Sequence, residues 1–174
     1  MSRIFFAFFS MLFLSGCAPK LPQPDPVQEQ RLARMLQHLD HSVDSAEARH
    51  MAHEAITYSR MLAMRYHVDT SPWVHNLLVN VHLRDRGLCY QWADDLYRHL
   101  TALHLKTLTL YPIGANIGSY LTEHNALVVL PSHHVTPLEY GTLLDPWRHS
   151  GDLLFMPVGE DTKYRWRIRR ERMP

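Results

Sequence analysis

Gly87-Leu88-Cys89-Tyr90-Gln91-Trp92-Ala93-Asp94-Asp95-Leu96-Tyr97-Arg98-His99-Leu100 is the last stretch of this 174-residue chain with helical spacing. Trp92, Ala93, Leu96 and Leu100 recur in steps that keep them on one face, which predicts a helix from about Cys89 to Leu103, opened by the break at Gly87. Beyond it the period falls to two and the apolar runs shorten. Leu105–Ile113, Ala126–Leu130, Thr142–Trp147, Asp152–Val158 and Tyr164–Ile168 are predicted strands, with Pro131, Pro137, Gly141 and Gly151 in the turns between them. Before it, three helices are predicted. Val27–Leu39 carries Leu32, Met35, Leu36 and Leu39. Ser45–His67 carries Met51, Ala55, Tyr58, Leu62 and Tyr66. A third helix opens at Ser71-Pro72 and carries Trp73, Leu77, Val81 and Leu83 toward Gly87. Helices followed by an antiparallel meander make the fold class α+β, with N-terminal helices packed on a C-terminal antiparallel sheet.

The N-terminus is read differently. Arg3 precedes an apolar run from Ile4 to Leu14, the length of a signal-peptide core and well short of the ~20 residues that span a bilayer. Leu14-Ser15-Gly16-Cys17 follows it directly and resembles the lipobox of bacterial lipoproteins. The resemblance implies cleavage before Cys17, lipidation of Cys17 and attachment to a membrane through it. Ala18 stands where an Asp would favour the inner membrane, so the expected location is the outer membrane, facing the periplasm. Two or more acyl chains anchor stably, since each buried CH₂ contributes ~0.8 kcal/mol. Residues 17–27 then read as the lipidated cysteine and a stiff tether. Pro19, Pro22, Pro24 and Pro26 forbid a helix and favour polyproline geometry, which places the domain roughly 30 Å from the anchor. Residues 28–174 suit a single domain with a sizeable core.

Loss of Arg3 with the leader leaves 17 basic residues, from 18, against 17 acidic ones. A charge near zero gives no case for nucleic acid. Basic residues do gather at the C-terminus, where Lys163, Arg165, Arg167 and Arg169 alternate with Tyr164, Trp166 and Ile168. The pattern reads either as an edge strand protected by charge or as a contact for an anionic surface such as phospholipid or cell-wall carboxylate.

Only two cysteines occur. With Cys17 lipidated, Cys89 has no intrachain partner in a compartment that favours disulfides. A lone cysteine is commonly a small buried hydrophobe. At a helix start it meets free backbone N–H groups and the positive end of the dipole, which stabilise a thiolate and leave a donor for a developing oxyanion. His124 opens the apolar run Ala126–Leu130, and Asp145 closes Thr142-Leu143-Leu144 before Pro146. Adjacent antiparallel strands would bring His124 and Asp145 side by side. A cysteine, a histidine and an acid in that arrangement are a thiol nucleophile, its base and the group that orients the base.

Here the chain resembles the transglutaminase-like superfamily of papain-type thiol enzymes. The family pattern is Gly-x-Cys-x-x-x-Ala on a helix, a His opening a strand and an Asp-Pro closing the next. These correspond to Gly87, Cys89 and Ala93, then His124, then Asp145-Pro146. The resemblance covers roughly residues 73–158. It implies a papain/transglutaminase-like core, with Cys89 as catalytic nucleophile, His124 as base and Asp145 as orienter. It also implies hydrolysis or acyl transfer at a peptide or protein amide, without a cofactor. Asn76, Asn80 and Gln91 are candidates for the side-chain oxyanion donor of such enzymes. The other reading of the same fold is a non-catalytic envelope lipoprotein that serves as a binding or assembly module.

The chain's 13 histidines also invite a metal test. His38 with His41, and His50 with His53, stand three apart on predicted helices, and His133-His134 lie in a turn. Zinc needs three or four converging ligands, and His50-Met51-Ala52-His53-Glu54 lacks the spacing and glutamate placement of the zinc-protease motif. No metal site is expected.

Overall fold

The computed structural model describes residues 25–133 and 135–172. The expected leader, the lipidation site Cys17 and most of the tether lie outside the described residues. Among the described residues, four α-helices precede five strands: α1 Pro26–Gln37, α2 Ser45–Arg65, α3 Pro72–Asn80, α4 Cys89–Thr101, β1 Leu108–Ala115, β2 His124–Pro131, β3 Thr142–Asp145, β4 Leu154–Pro157 and β5 Arg167–Ile168. The strands form one antiparallel sheet in the order β4-β3-β2-β1-β5. The fold is α+β, and none of the described helices is long and apolar enough to cross a membrane.

Local chemistry sets the helix ends. Asp25 caps α1 by accepting from Val27 N, and Pro26, read from sequence as tether, is the first helical residue, where its missing N–H costs nothing. Asp44 caps α2 through Ala46 N and Glu47 N. α2 stops at Arg65 because Tyr66 caps it and His67 turns left-handed, at φ 54°. α3 is shorter than its apolar spacing predicts. His82 is left-handed at φ 61°, and Leu83 N and Arg84 N both donate to Leu78 O, which closes the helix.

Alternation along β2 separates two cores. Leu127 and Val129 face the helices with Leu108, Leu110 and Leu144, meeting Trp92, Leu96 and Leu100 of α4. Burying Leu96 and Leu100 completely contributes about 2 kcal/mol each. Ala126, Val128 and Leu130 face the other way and join Ile113, Leu143, Val158 and Trp166. All eight residues of β2 are therefore buried.

The expected strand over Tyr164–Ile168 shrinks to the two residues of β5, paired with β1. Asp161 accounts for the difference. It accepts from Lys163 N at 3.0 Å and from Trp166 Nε1 at 2.9 Å, which winds the segment into a loop over the far core. Tyr164 and Trp166 still point inward, as their alternation requires.

Candidate functional site

The turn before α4 is fixed from three sides. Gly87 has φ 131°, and a Cβ there would run into the His75 ring, whose Nε2–H donates to Arg86 O at 2.9 Å. Gln91 reaches back to accept from Gly87 N at 2.7 Å and Leu88 N at 3.0 Å. Arg86 pairs with the buried Asp95 at 3.1 Å, and Asp95 also accepts from Tyr66 Oη at 2.6 Å and from Arg98. Cys89 is thereby held as the first residue of α4, at the end where helical N–H groups point outward.

Register brings the other two side chains together. Leu127 pairs with Leu144, so Asp145 lies diagonally across from His124 on the face away from the helices. His124 Nε2 donates to Asp145 Oδ2 at 2.6 Å, with both side chains buried. Arg148 completes the carboxylate shell, since its N donates to Oδ1 at 3.1 Å and its Nε to Oδ2 at 3.0 Å. Its guanidinium also forks onto Asp161, at 3.2 and 2.8 Å. Trp147, Tyr164 and Trp166 surround the imidazole, with ring centroids 4.8, 4.7 and 5.5 Å away.

Two opposed effects act on the imidazole. Burial is the largest and works to lower its proton affinity. The charge and hydrogen bond of Asp145 override it, helped by the Cys89 side chain, and lift His124 from the ordinary 6.5 to about 9. Burial likewise works to raise Asp145, and the facing cations His124 and Arg148 hold it below 3.8 instead. At neutral pH the pair is an imidazolium against a carboxylate. Asp145 occupies Nε2, which leaves Nδ1 as the ring nitrogen available to the thiol. The structure thus groups Cys89, His124 and Asp145, the three residues singled out in the sequence.

The sulfur has further neighbours. Its S–H faces Glu123 O at 3.7 Å, and Asn125 Nδ2 lies 3.8 Å from Sγ. A groove of about 520 Å³ opens onto Cys89 and His124. Its rim is apolar and exposed: Trp73 at 55%, Leu77 at 59%, Tyr120 at 92% and Leu121 at 76%. The sequence stripe on α3 therefore faces the groove and solvent, while His75 and Val79 are the buried positions of that helix. A second groove of about 630 Å³ lies beside α2, but the one hydroxyl lining it, Ser150, donates to Thr70 O.

The expected oxyanion donors separate. Gln91 is committed to the α4 cap. Asn76 is tied to Trp147 Nε1 through its Oδ1 at 3.0 Å, and Asn80 lies at the groove edge. Asn125, Arg148 and Arg169 were not singled out for the site. The available signal for Asn125 was alternation, because the residue after His124 must face the helices. The basic C-terminal stretch also divides. Arg165 and Arg167 are exposed, whereas Arg169 turns inward onto Glu123, Glu171 and Asn125.

Among the described residues no group of three His, Cys, Asp or Glu side chains converges as metal ligands. His53 faces Glu29 at 3.1 Å, and His50 and His99 face Glu54 at 3.8 and 2.8 Å.

No family model, no curated protein and no solved structure matches this chain. The class defined by its own geometry is an α+β domain with a helix-start cysteine beside a buried histidine–aspartate pair, at the end of an apolar groove.

Proposed function

We propose that the domain is a papain-like, transglutaminase-like thiol enzyme that attacks an amide carbonyl. The observation that carries this reading is the Asp145–His124 pair standing against Cys89 at a helix start, with a groove open to the sulfur. The thiolate of Cys89 adds to the carbonyl carbon, and the oxyanion takes hydrogen bonds from the backbone N–H groups at the start of α4. His124 then gives its proton to the departing amine, the C–N bond breaks, and an acyl-thioester remains on Cys89. Water or a second amine attacks next. His124, now neutral, accepts its proton, and the sulfur leaves as thiolate. Asp145 keeps the ring oriented and compensates its charge throughout.

The apolar rim favours a peptide or protein amide that carries bulky apolar side chains. Anchoring through lipidated Cys17 at the outer membrane, facing the periplasm, rests on Leu14–Cys17 and Ala18. Contact with an anionic surface then falls to Arg165 and Arg167. The exposed rim also suits a second reading, a non-catalytic envelope module that binds an apolar partner in the groove.

Alkylation with a small electrophile separates the two, with the modified residue mapped by mass. The enzyme reading expects Cys89 to react at neutral pH at least tenfold faster than a free thiol of ordinary pKa, and expects that advantage to vanish in His124→Ala. Slow labelling, indifferent to His124, supports the binding module.

A further inference from the structure

Asn125 is buried at the head of β2, pairs with Gly114 of β1 and faces the helix layer. An amide side chain presents an acceptor on one arm and a donor on the other, and either could face the sulfur. Its neighbours do. Arg169 Nη1 lies 2.8 Å from Asn125 Oδ1, and a guanidinium donates only, so the atom facing it must be the oxygen. The Nδ2 group is consequently turned toward Glu123 Oε1 at 3.3 Å and Cys89 Sγ at 3.8 Å.

Arg169 is itself held in place. Its backbone N–H donates to Pro112 O at 2.8 Å, its Nε to Glu171 at 2.7 Å, and its Nη1 also meets Glu123. Its aliphatic stem lies flat on Gly114, where an added Cβ would come within 2.6 Å of Arg169 Cδ. Glu123 closes the arrangement by accepting from Gly118 N at 2.8 Å, in the loop that forms one wall of the groove. That backbone bond, with Arg169 and Asn125 against the pull of burial, holds the Glu123 carboxyl below its ordinary range, so it remains an acceptor for both.

We propose that Asn125, aimed by Arg169, is the side-chain hydrogen-bond donor to the reacting sulfur and stabilises its negative charge. This assignment rests on Cys89 being the nucleophile described above. It gives the site an amide donor from the residue after its histidine. It also makes the C-terminal segment part of the site, since Arg169 sets which end of the amide faces the sulfur.

The test measures iodoacetamide labelling of Cys89 in the full-length protein at pH 7 and at pH 10, where a free thiol of ordinary pKa is mostly ionised. Asn125→Ala should slow labelling about tenfold at pH 7, the lower end for a hydrogen bond to a charged acceptor, and leave the pH 10 rate unchanged. Asn125→Asp keeps the bond from Arg169 and the shape of the side chain while removing the donor. It should match or exceed the loss in Asn125→Ala at pH 7, and the carboxylate oxygen it turns toward Glu123 Oε1 should also lower the melting transition. Arg169→Met frees the amide to turn and should produce a smaller loss at pH 7. If wild-type Cys89 labels fast and depends on His124, yet Asn125→Ala labels at the wild-type rate, the role of Asn125 is overturned and the thiol-enzyme reading stands. Equal losses at both pH values mark structural damage and likewise overturn the role. Slow wild-type labelling overturns both.

Discussion

Replacing Asp145 by Asn removes the charge that sets the protonation of His124, and the consequence is readable as stability against pH. In the native protein His124 binds its proton with an affinity near pH 9 rather than 6.5. At about 1.4 kcal/mol per pH unit, the imidazolium form favours folding by about 3 kcal/mol. Because the folded-state value lies above the unfolded one, this stabilisation is complete below pH 6.5 and disappears as the pH rises through about 9. Asp145 acts with the opposite sign. Its value is depressed, so its contribution is present above the ordinary 3.8 and is lost as pH falls below it. Asp145→Asn leaves His124 with burial as its main influence, and burial favours the neutral ring. Urea unfolding of the wild type and Asp145→Asn at pH 6, 7, 8 and 9 gives two stability curves. Titrations of groups distant from the pair cancel in their difference. The gap between the curves should shrink by about 3 kcal/mol from pH 6 to pH 9. Curves that run parallel within about 1 kcal/mol across that range would mean that the Asp145 carboxylate does not hold the proton on His124, and the argument for an imidazolium at the site would collapse.

Gly87→Ala forces a left-handed-side backbone on a residue with a Cβ and drives that atom into His75; the variant should lose at least about 1–3 kcal/mol in urea unfolding, and wild-type stability would refute the account of the turn. Arg148→Met strips the cation from between Asp145 and Asp161, both of them buried, and should cost about 3–5 kcal/mol. The double change Arg148→Met with Asp161→Asn should recover part of that loss, since it removes the charge stranded on Asp161 while Asp145 keeps His124; full additivity of the two changes would contradict the shared ion cluster. Peptidyl electrophiles with a bulky apolar residue should label Cys89 faster than glycine-only analogues. That preference should fall in Tyr120→Ser and Leu121→Ser while the small electrophile reacts as before; an unchanged preference would remove the groove rim from substrate selection.

Much of the fold was legible because its signals are local. The step from helical spacing to period two after Leu103 marks where helices give way to the sheet, and Ser71-Pro72 marks the start of α3. What was not legible depends on contacts distant in sequence. The apolar spacing of Trp73, Leu77 and Val81 is clean, yet α3 buries His75 and Val79, because it covers the Gly87 turn with the imidazole and leaves Trp73 and Leu77 to the groove and Val81 exposed. Periodicity reports that one face is apolar but says nothing about what it faces. Likewise the alternation of Tyr164 and Trp166 was correctly an inward pattern, but Asp161 claims the indole and a backbone N–H, so the segment cannot extend as a full strand. The grouping of Cys89, His124 and Asp145 was approachable because antiparallel order constrains it. Arg148 and Arg169 were not, since a surface arginine and one that folds inward onto acidic side chains look alike in sequence.

The register of β2 shows how site and fold specify one another. In most half-buried strands a slip by one position moves apolar side chains into water, and that penalty fixes the pairing. β2 has no such safeguard in its body, because Ala126, Leu127, Val128, Val129 and Leu130 are apolar on both faces and buried on both. Its first two residues carry the information instead. His124 must face away from the helices to meet Asp145, and Asn125 must face them to meet Arg169 and the sulfur. A one-residue slip would press the imidazole into the helix-side core and leave the Asp145 carboxylate to Arg148 alone, and breaking the buried pair costs several kcal/mol. Cys89 can serve both side chains because it stands at the end of the strand, not above its face. The same polar pair that equips the groove for chemistry is therefore what locks the central strand of the sheet.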